Sequence, residues 1–175
     1  GDIIWIRGAN GCGKSTLLRL IAGLLYASGG EVMVEGRIGL CDENPGCDSG
    51  LSVAKALKFW ADMDGTPDDG MQDAMRTMHL DMLADIPVRY LSTGQRRRTA
   101  LARTIGSGAD IWLLDEPYNG LDSANVTRLD SAILQHGSRG GIALVAAHQP
   151  PAINISDQII LDRYAAGTRA EQATA

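Results

Sequence analysis

The sequence contains few cysteines, no long apolar run and no excess of positive charge. Its three cysteines, Cys12, Cys41 and Cys47, give an odd count without a C-x-x-C spacing, so neither a zinc site nor a disulfide framework is predicted, and a reducing compartment is expected. No apolar run approaches the roughly 20 residues that span a membrane, and no signal peptide is predicted. Any role at a membrane is therefore expected to come through a partner.

The charge balance is acidic. The chain has 16 Lys and Arg against 21 Asp and Glu, a formal net charge of −5, which argues against a general nucleic-acid-binding surface. Its 175 residues are 45% apolar, which is enough for one globular domain with a sizeable core. The chain begins at Gly1 without Met, which is compatible with a fragment of a longer protein and leaves open whether the chain is complete.

The most specific motif is a glycine-rich segment between an apolar strand and a helical run. It contains G-x-x-x-x-G-K-S and predicts a phosphate-binding loop, in which backbone N–H groups and the helix N-terminus face phosphate oxygens. Lys14 is expected to reach the β- and γ-phosphates, and the Ser15 hydroxyl to bind Mg²⁺. A glycine-rich turn before a helix is the alternative. The candidate nucleotide-binding residues of this loop are Gly8, Ala9, Asn10, Gly11, Cys12, Gly13, Lys14, Ser15 and Thr16.

Apolar strands alternate with helices over most of the chain, which predicts an α/β fold around a parallel sheet. Strands are predicted at 2–7, 31–35, 37–41, 111–114, 142–147 and 158–161. Helices are predicted at 14–26, 52–62, 71–83, 96–105 and 123–136. The segment of about 45–90 lacks apolar strands, so it is predicted to be a helical insertion. We expect a single domain over 1–165, with its core in 1–44 and 91–165, followed by a frayed tail at 166–175.

A second candidate motif is the apolar strand 111–114, which ends in two carboxylates. Asp115 is placed to hold Mg²⁺ through its water shell. Glu116, the next residue, is placed to take a proton from an attacking water. An ordinary acidic turn before Pro117 is the alternative.

The segment 91–95, Leu-Ser-Thr-Gly-Gln, resembles the LSGGQ signature of ATP-binding-cassette ATPases, with Thr in place of the first Gly. The order of this segment, the two carboxylates, the Asn-Gly-Leu-Asp of 119–122 and His148 matches that superfamily. The resemblance implies a P-loop NTPase fold with a RecA-like parallel sheet, ATP and Mg²⁺ as cofactors, and a homodimer around two ATP molecules. It assigns ATP contacts to Ser92, Gly94, Gln95 and Asp122, and a catalytic contact with the γ-phosphate to His148.

Within the superfamily, the sequence of residues 91–103, 110–117 and 140–150 is similar to that of the ATP-binding subunit of the haem exporter of cytochrome c maturation. That resemblance spans about 1–162. It implies membrane-spanning partner subunits, a peripheral position on the cytoplasmic face of the bacterial inner membrane, and ATP turnover that releases a haem-loaded chaperone. No direct haem binding is expected. A transporter with another cargo, a ribosome- or DNA-directed member and a turnover-impaired cassette are the alternatives.

The chain departs from the superfamily in two places. The expected Q-loop glutamine is missing, and the nearest match is Asn44, only 44 − 14 = 30 residues after the loop lysine. Part of the β-hairpin subdomain is therefore expected to be lost. The aromatic residue that stacks on adenine in the family lies upstream of the loop, so base binding is expected to be weaker in this chain.

Three other patterns are less specific. Met71, Met75, Met78 and Met82 share one helical face, which is typical of an adaptable core. The arginine run 96–98 has no accompanying aromatic residues and predicts a solvated helix face rather than a nucleic-acid site. His79 and His136 match no motif and are predicted to be surface residues.

Overall fold

A computed structural model describes residues 1–42 and 46–164. Asn44 and the predicted tail at 166–175 lie outside this range. The strands are β1 Ile3–Arg7, β2 Ile38–Cys41, β3 Ile111–Asp115, β4 Ile142–Ala146 and β5 Asp157–Ile160. The helices are α1 Lys14–Ile21, α2 Val53–Asp64, α3 Asp68–Thr77, α4 Thr93–Gly106 and α5 Ser123–Ser138, with short 3₁₀ helices at Asp81–Leu83 and Val88–Tyr90.

The five strands form one sheet in the order β2-β3-β4-β1-β5, and every pairing is parallel. The predicted α/β fold with a parallel sheet is therefore confirmed. Because all strands run the same way, the segments that follow them emerge at the same edge of the sheet. Ligands of such sheets bind outside this carboxyl edge, so the site is expected there.

Apolar side chains cover both faces of the sheet. One face packs Ile6 and Leu113 against Leu18 of α1. The other face, which includes Trp5 and Leu114, packs into a larger core with the remaining helices. Trp5 is 8% exposed, and its indole N–H donates to the carbonyl of Ala147 at 2.9 Å.

The segment between β2 and α4 is helical, with α2 and α3 packed on α4. Met71, Met75 and Met78 of the predicted methionine face are buried, but Met82 is 89% exposed. The prediction is wrong for Met82 because α3 ends at Thr77, which breaks the spacing that placed all four on one face.

Two further element predictions are wrong in whole or in part. The predicted helix 14–26 ends at Ile21, where Gly23 takes a φ of 72° that interrupts helical geometry. The stretch 31–35 forms no strand, and its apolar members Val32 and Met33 are exposed.

Among residues 1–42 and 46–164, no helix is long and apolar enough to cross a membrane.

Candidate functional site

The glycine-rich loop connects β1 to α1 at the carboxyl edge of the sheet. Gly13 precedes α1 with a φ of 105°, a left-handed backbone conformation that residues other than glycine rarely adopt. Lys14 follows and is only 6% exposed, with its Nζ donating to the carbonyls of Gly8 at 3.0 Å and Ala9 at 3.4 Å. The lysine thus lies folded along the loop, where it can exchange these carbonyls for phosphate oxygens.

The two carboxylates lie where β3 ends. Asp115 is the last residue of the strand and is 4% exposed, and its Oδ1 is buried without a hydrogen-bond partner. Glu116 has a φ of 45°, which is unusual for a residue with a side chain. Its N–H donates to the carbonyl of Ala146 at 2.8 Å, so β4 fixes the position of the turn.

Three charged or titratable side chains meet at Glu116. Its Oε1 lies 3.7 Å from Lys14 Nζ and 3.4 Å from His148 Nε2. The surrounding cavity, of about 470 Å³, is lined by the loop residues together with Asp115, Asn119 and His148. The phosphate loop, the acidic turn and His148 are far apart in the chain, and the structure brings them to one polar cavity.

The segment 91–95 begins α4. Ser92 caps the helix: its Oγ accepts from the Gln95 N–H at 3.2 Å, and Gln95 Oε1 accepts from the Ser92 N–H at 2.8 Å. A Cβ on Gly94 would lie 2.7 Å from the carbonyl oxygen of Gly120, so this position requires glycine. Ser92 is exposed, which leaves the start of α4 open to another molecule.

Asp122 caps the next helix, α5. Its Oδ1 accepts from the backbone N–H of Asn125 at 2.8 Å and from the Asn125 side chain at 2.9 Å. Among the described residues that line the polar cavity, neither Asp122 nor Ser92 nor Gly94 is found. The structure therefore separates the predicted ATP contacts into one set around Lys14 and another at the exposed starts of α4 and α5.

Sequence reasoning did not identify Asp162 and Tyr118. The Ala9 N–H donates to Asp162 Oδ1 at 3.2 Å, so a residue just after β5 fixes the start of the phosphate loop. Tyr118, in the turn after Glu116, donates to Asp130 at 2.7 Å, and burial together with this hydrogen bond raises the pKa of Tyr118. Neither residue belongs to a recognisable spacing, because both act through tertiary contacts.

The prediction that the arginine run is a solvated face is correct only for Arg96. Arg96 is exposed, whereas Arg97 and Arg98 are half-buried. Arg98 donates to the carbonyls of Met78 at 2.9 Å and His79 at 2.7 Å. Backbone carbonyls attract these two side chains inward, and a carbonyl acceptor leaves no signal in the sequence.

The predicted surface location is correct for His79, which is exposed, and only partly correct for His136, which is half-buried. The imidazole of His136 stacks on Trp112 with the ring centroids 3.9 Å apart. Burial lowers the pKa of His136 below its ordinary value of 6.5. A Cβ on Gly141 would lie 2.2 Å from this ring, so the packing of His136 requires glycine at position 141.

Comparison with known proteins assigns this arrangement to a family. The family model described as ABC transporter matches residues 1–119. The chain is 50% identical over 161 residues to the cytochrome c biogenesis ATP-binding export protein CcmA of Sphingopyxis alaskensis, covering 92% of this chain and 83% of that protein.

Solved structures agree with this assignment. The ABC transporter ATP-binding protein of Pyrococcus furiosus superposes with a TM-score of 0.80 at 25% identity, covering 93% of this chain and 85% of that one. A dimeric bacterial ABC transporter cassette has the same fold, with a TM-score of 0.78 at 21% identity, covering 85% of this chain and 75% of that one. With the phosphate loop and the acidic turn meeting in one cavity, the chain belongs to the ABC transporter family, as an ATP-binding subunit that hydrolyses ATP.

Proposed function

We propose that this chain is the ATPase subunit of a cytochrome c biogenesis export complex, in which ATP turnover powers release of a haem-loaded chaperone. The observation that carries the proposal is the 50% identity over 161 residues to a protein named as an ATP-binding export protein of cytochrome c biogenesis. The sequence of residues 91–103 and 140–150 supports the same assignment, because both stretches are typical of the ATP-binding subunit of that exporter.

In this proposal the loop 8–16 holds the phosphates of ATP. Backbone N–H groups of the loop and the N-terminus of α1 supply partial positive charge, and Lys14 supplies a full one. The cavity around Lys14 is polar and open to the acidic turn. Asn44 remains a predicted substitute for the Q-loop glutamine and lies outside the described residues.

The donor set at the end of β3 fits a magnesium ion that arrives with the nucleotide. Asp115 Oδ1 is a buried acceptor without a partner, and Ser15 lines the same cavity. Within 1–42 and 46–164 there is no group of three or more His, Cys, Asp or Glu that could hold a metal alone. Ser15 and Asp115 would therefore hold Mg²⁺ together with phosphate and water oxygens, and the ion would neutralise phosphate charge.

Glu116 is the proposed general base. Lys14 and His148 flank its Oε1 at 3.7 Å and 3.4 Å, so the carboxylate faces the region expected to hold the γ-phosphate. A carboxylate there can accept the proton of the attacking water. His148 is about half exposed, which leaves an imidazole nitrogen available for a γ-phosphate oxygen.

The residues outside the cavity are proposed to act on the ATP of a second copy. Ser92, Gly94 and Gln95 lie at the exposed start of α4, whose N-terminal end favours an anion. Asp122 is exposed at the start of α5. A head-to-tail dimer in which each copy completes the other's site accounts for both locations, and a cassette of the same fold is dimeric.

Membrane-spanning subunits are the other proposed partners. The helical segment between β2 and α4 exposes large apolar side chains, including Phe59, Met63, Met82 and Tyr90. Exposed apolar residues of this kind suit a protein partner. We place the chain peripherally on the cytoplasmic face of the bacterial inner membrane, with no nucleic-acid partner and no direct contact with haem.

Complementation tests the cargo assignment. A strain without the gene is supplied with the full-length gene, wild type or Lys14→Ala, and covalent haem in c-type cytochromes is stained. We expect wild type to restore staining and Lys14→Ala to fail, because the variant lacks the buried cation that faces phosphate. Arg96→Gln is the matched control and should restore staining. It removes an exposed side-chain cation that makes no ion pair within the described residues.

Mg-ATP binding and turnover of the purified chain are measured in parallel. Normal cytochrome c maturation without the gene would show that the complex exports another cargo. Binding without turnover by the wild-type chain would identify a turnover-impaired cassette, and unchanged Mg-ATP affinity in Lys14→Ala would refute the assignment of the loop.

A further inference from the structure

We propose that Arg97 is a positioning residue for Glu116, which it holds through the backbone of the turn after β3. The proposal rests on the proposed role of Glu116 in hydrolysis. Arg97 lies on α4, two residues after Gln95, and its guanidinium is half-buried.

The guanidinium of Arg97 donates to three backbone carbonyls from two strand ends. Nη1 donates to Asp42, just after β2, at 2.7 Å. Nη2 donates to the carbonyl of Asp115, and Nε lies 3.5 Å from the carbonyl of Pro117. The contacts at Asp115 and Pro117 lie on either side of Glu116, so one side chain holds both flanks of the turn.

The turn needs such support because its central residue is in an unfavourable conformation. Glu116 has a φ of 45°, and left-handed non-glycine residues persist only where surrounding contacts enforce them. Its N–H donates to Ala146, which fixes the turn from the β4 side. Arg97 fixes it from the α4 side, so the direction of the Glu116 side chain depends on both.

The fork of donors on arginine suits this task. A guanidinium presents five N–H donors in a fixed plane, whereas a lysine ammonium is a compact charge on a flexible stem. Arg97 also connects helix α4, which begins with the exposed Ser92, to the turn that carries Glu116. The arrangement therefore ties the helix proposed to face a second copy to the hydrolytic carboxylate of the same chain.

The test compares Arg97→Gln with Arg98→Gln and Arg96→Gln on the purified chain. Arg98 also donates to two backbone carbonyls, but at the end of α3, so it controls for a purely structural loss. The side chain of Arg96 is exposed and makes no hydrogen bond or ion pair within residues 1–42 and 46–164. For each variant, the amide exchange rate of Glu116, kcat, KM for Mg-ATP and Tm are measured.

In Arg97→Gln we expect the Glu116 amide to exchange at least about tenfold faster, because opening of the turn exposes its hydrogen bond to Ala146. We expect kcat to fall by about 10- to 100-fold, with KM changed by less than about twofold, because misplacing a reacting group affects chemistry more than binding. Both control variants should leave exchange at Glu116 and kcat close to wild type, even where Arg98→Gln lowers Tm.

Arg97→Lys separates geometry from charge and guards against misfolding of the glutamine variant. It should recover only part of the loss in kcat, because a single ammonium cannot hold both flanks. Full recovery by lysine would overturn the proposal, as would Glu116 exchange in Arg97→Gln no faster than in Arg98→Gln. A wild-type chain without turnover would overturn the role of Glu116, whereas exchange rates would still decide whether Arg97 holds its turn.

Discussion

Replacing Glu116 by Gln tests the proposed chemistry most directly. The amide preserves the size of the side chain but cannot accept a proton from water. A positioned general base typically contributes about 10²- to 10⁴-fold to a rate, so we expect kcat for ATP to fall by about that factor. The substitution should leave the fold intact, because the Glu116 contact with Ala146 is made by the backbone N–H.

Nucleotide affinity should not fall with the rate. Glu116 Oε1 lies 3.7 Å from Lys14 Nζ, and two unit charges at this distance attract by about 4 kcal/mol at an effective dielectric of about 20. Desolvation and ordering of the side chains leave a net contribution on the order of 1 kcal/mol. Phosphate competes with this pair for Lys14, so removing the carboxylate charge should tighten Mg-ATP binding by up to roughly fivefold.

The assay measures turnover, equilibrium binding of Mg-ATP and sedimentation with ATP. Glu116→Gln should bind ATP, fail to hydrolyse it and sediment as a dimer held by unhydrolysed ATP. Glu35→Gln is the matched control: it removes the same charge at an exposed residue and should behave as wild type. A Glu116→Gln monomer that turns over ATP at the wild-type rate would refute the assignment of the general base.

Two further predictions concern stability. Gly94→Ala forces a Cβ to 2.7 Å from the Gly120 carbonyl oxygen and should lower the free energy of unfolding by about 1–3 kcal/mol. Gly70→Ala in α3 is the control: its Cβ would meet no atom within 4 Å, so the variant should be neutral or stabilising. Urea denaturation measures the free energy of unfolding of both variants. His136 has a lowered pKa when folded, so its contribution to stability should be complete above its ordinary pKa of 6.5 and be lost as the pH falls from there through the folded pKa. His136→Gln should flatten the dependence of the unfolding free energy on pH below 6.5, and an unchanged slope would show that another group titrates there.

The main motifs of the candidate site could be predicted because each is written in consecutive residues. The loop around Lys14 and the turn at Glu116 need only a strand, a short polar segment and the next element to define their chemistry. The parallel sheet could also be predicted, because most residues of its central strands are apolar and the strands mostly alternate with helices. Which residues of those motifs act as proposed remains a prediction for the variants above.

Contacts between side chains and distant backbone groups could not be predicted. Arg97 and Arg98 have the same residue type as the exposed Arg96, and only the tertiary structure supplies the carbonyls that attract them. His136 was likewise indistinguishable from a surface histidine without the packing of its ring on Trp112. The early end of α1 coincides with the positive φ of Gly23. It could not be predicted, because isolated glycines are tolerated inside helices.

The distances within the site depend on the register of β4, a strand that carries none of the proposed chemistry. Ala146 is paired with Asp115 on one side and with Ile6 on the other. This double pairing places the acidic turn, the phosphate loop and the segment that begins with His148 at the same level of the sheet. A slip of one residue would direct alternate side chains to the opposite face and would separate Glu116 from both Lys14 and His148. The backbone pairing of the fully buried Ala146 therefore helps to set the distances between the proposed hydrolytic residues.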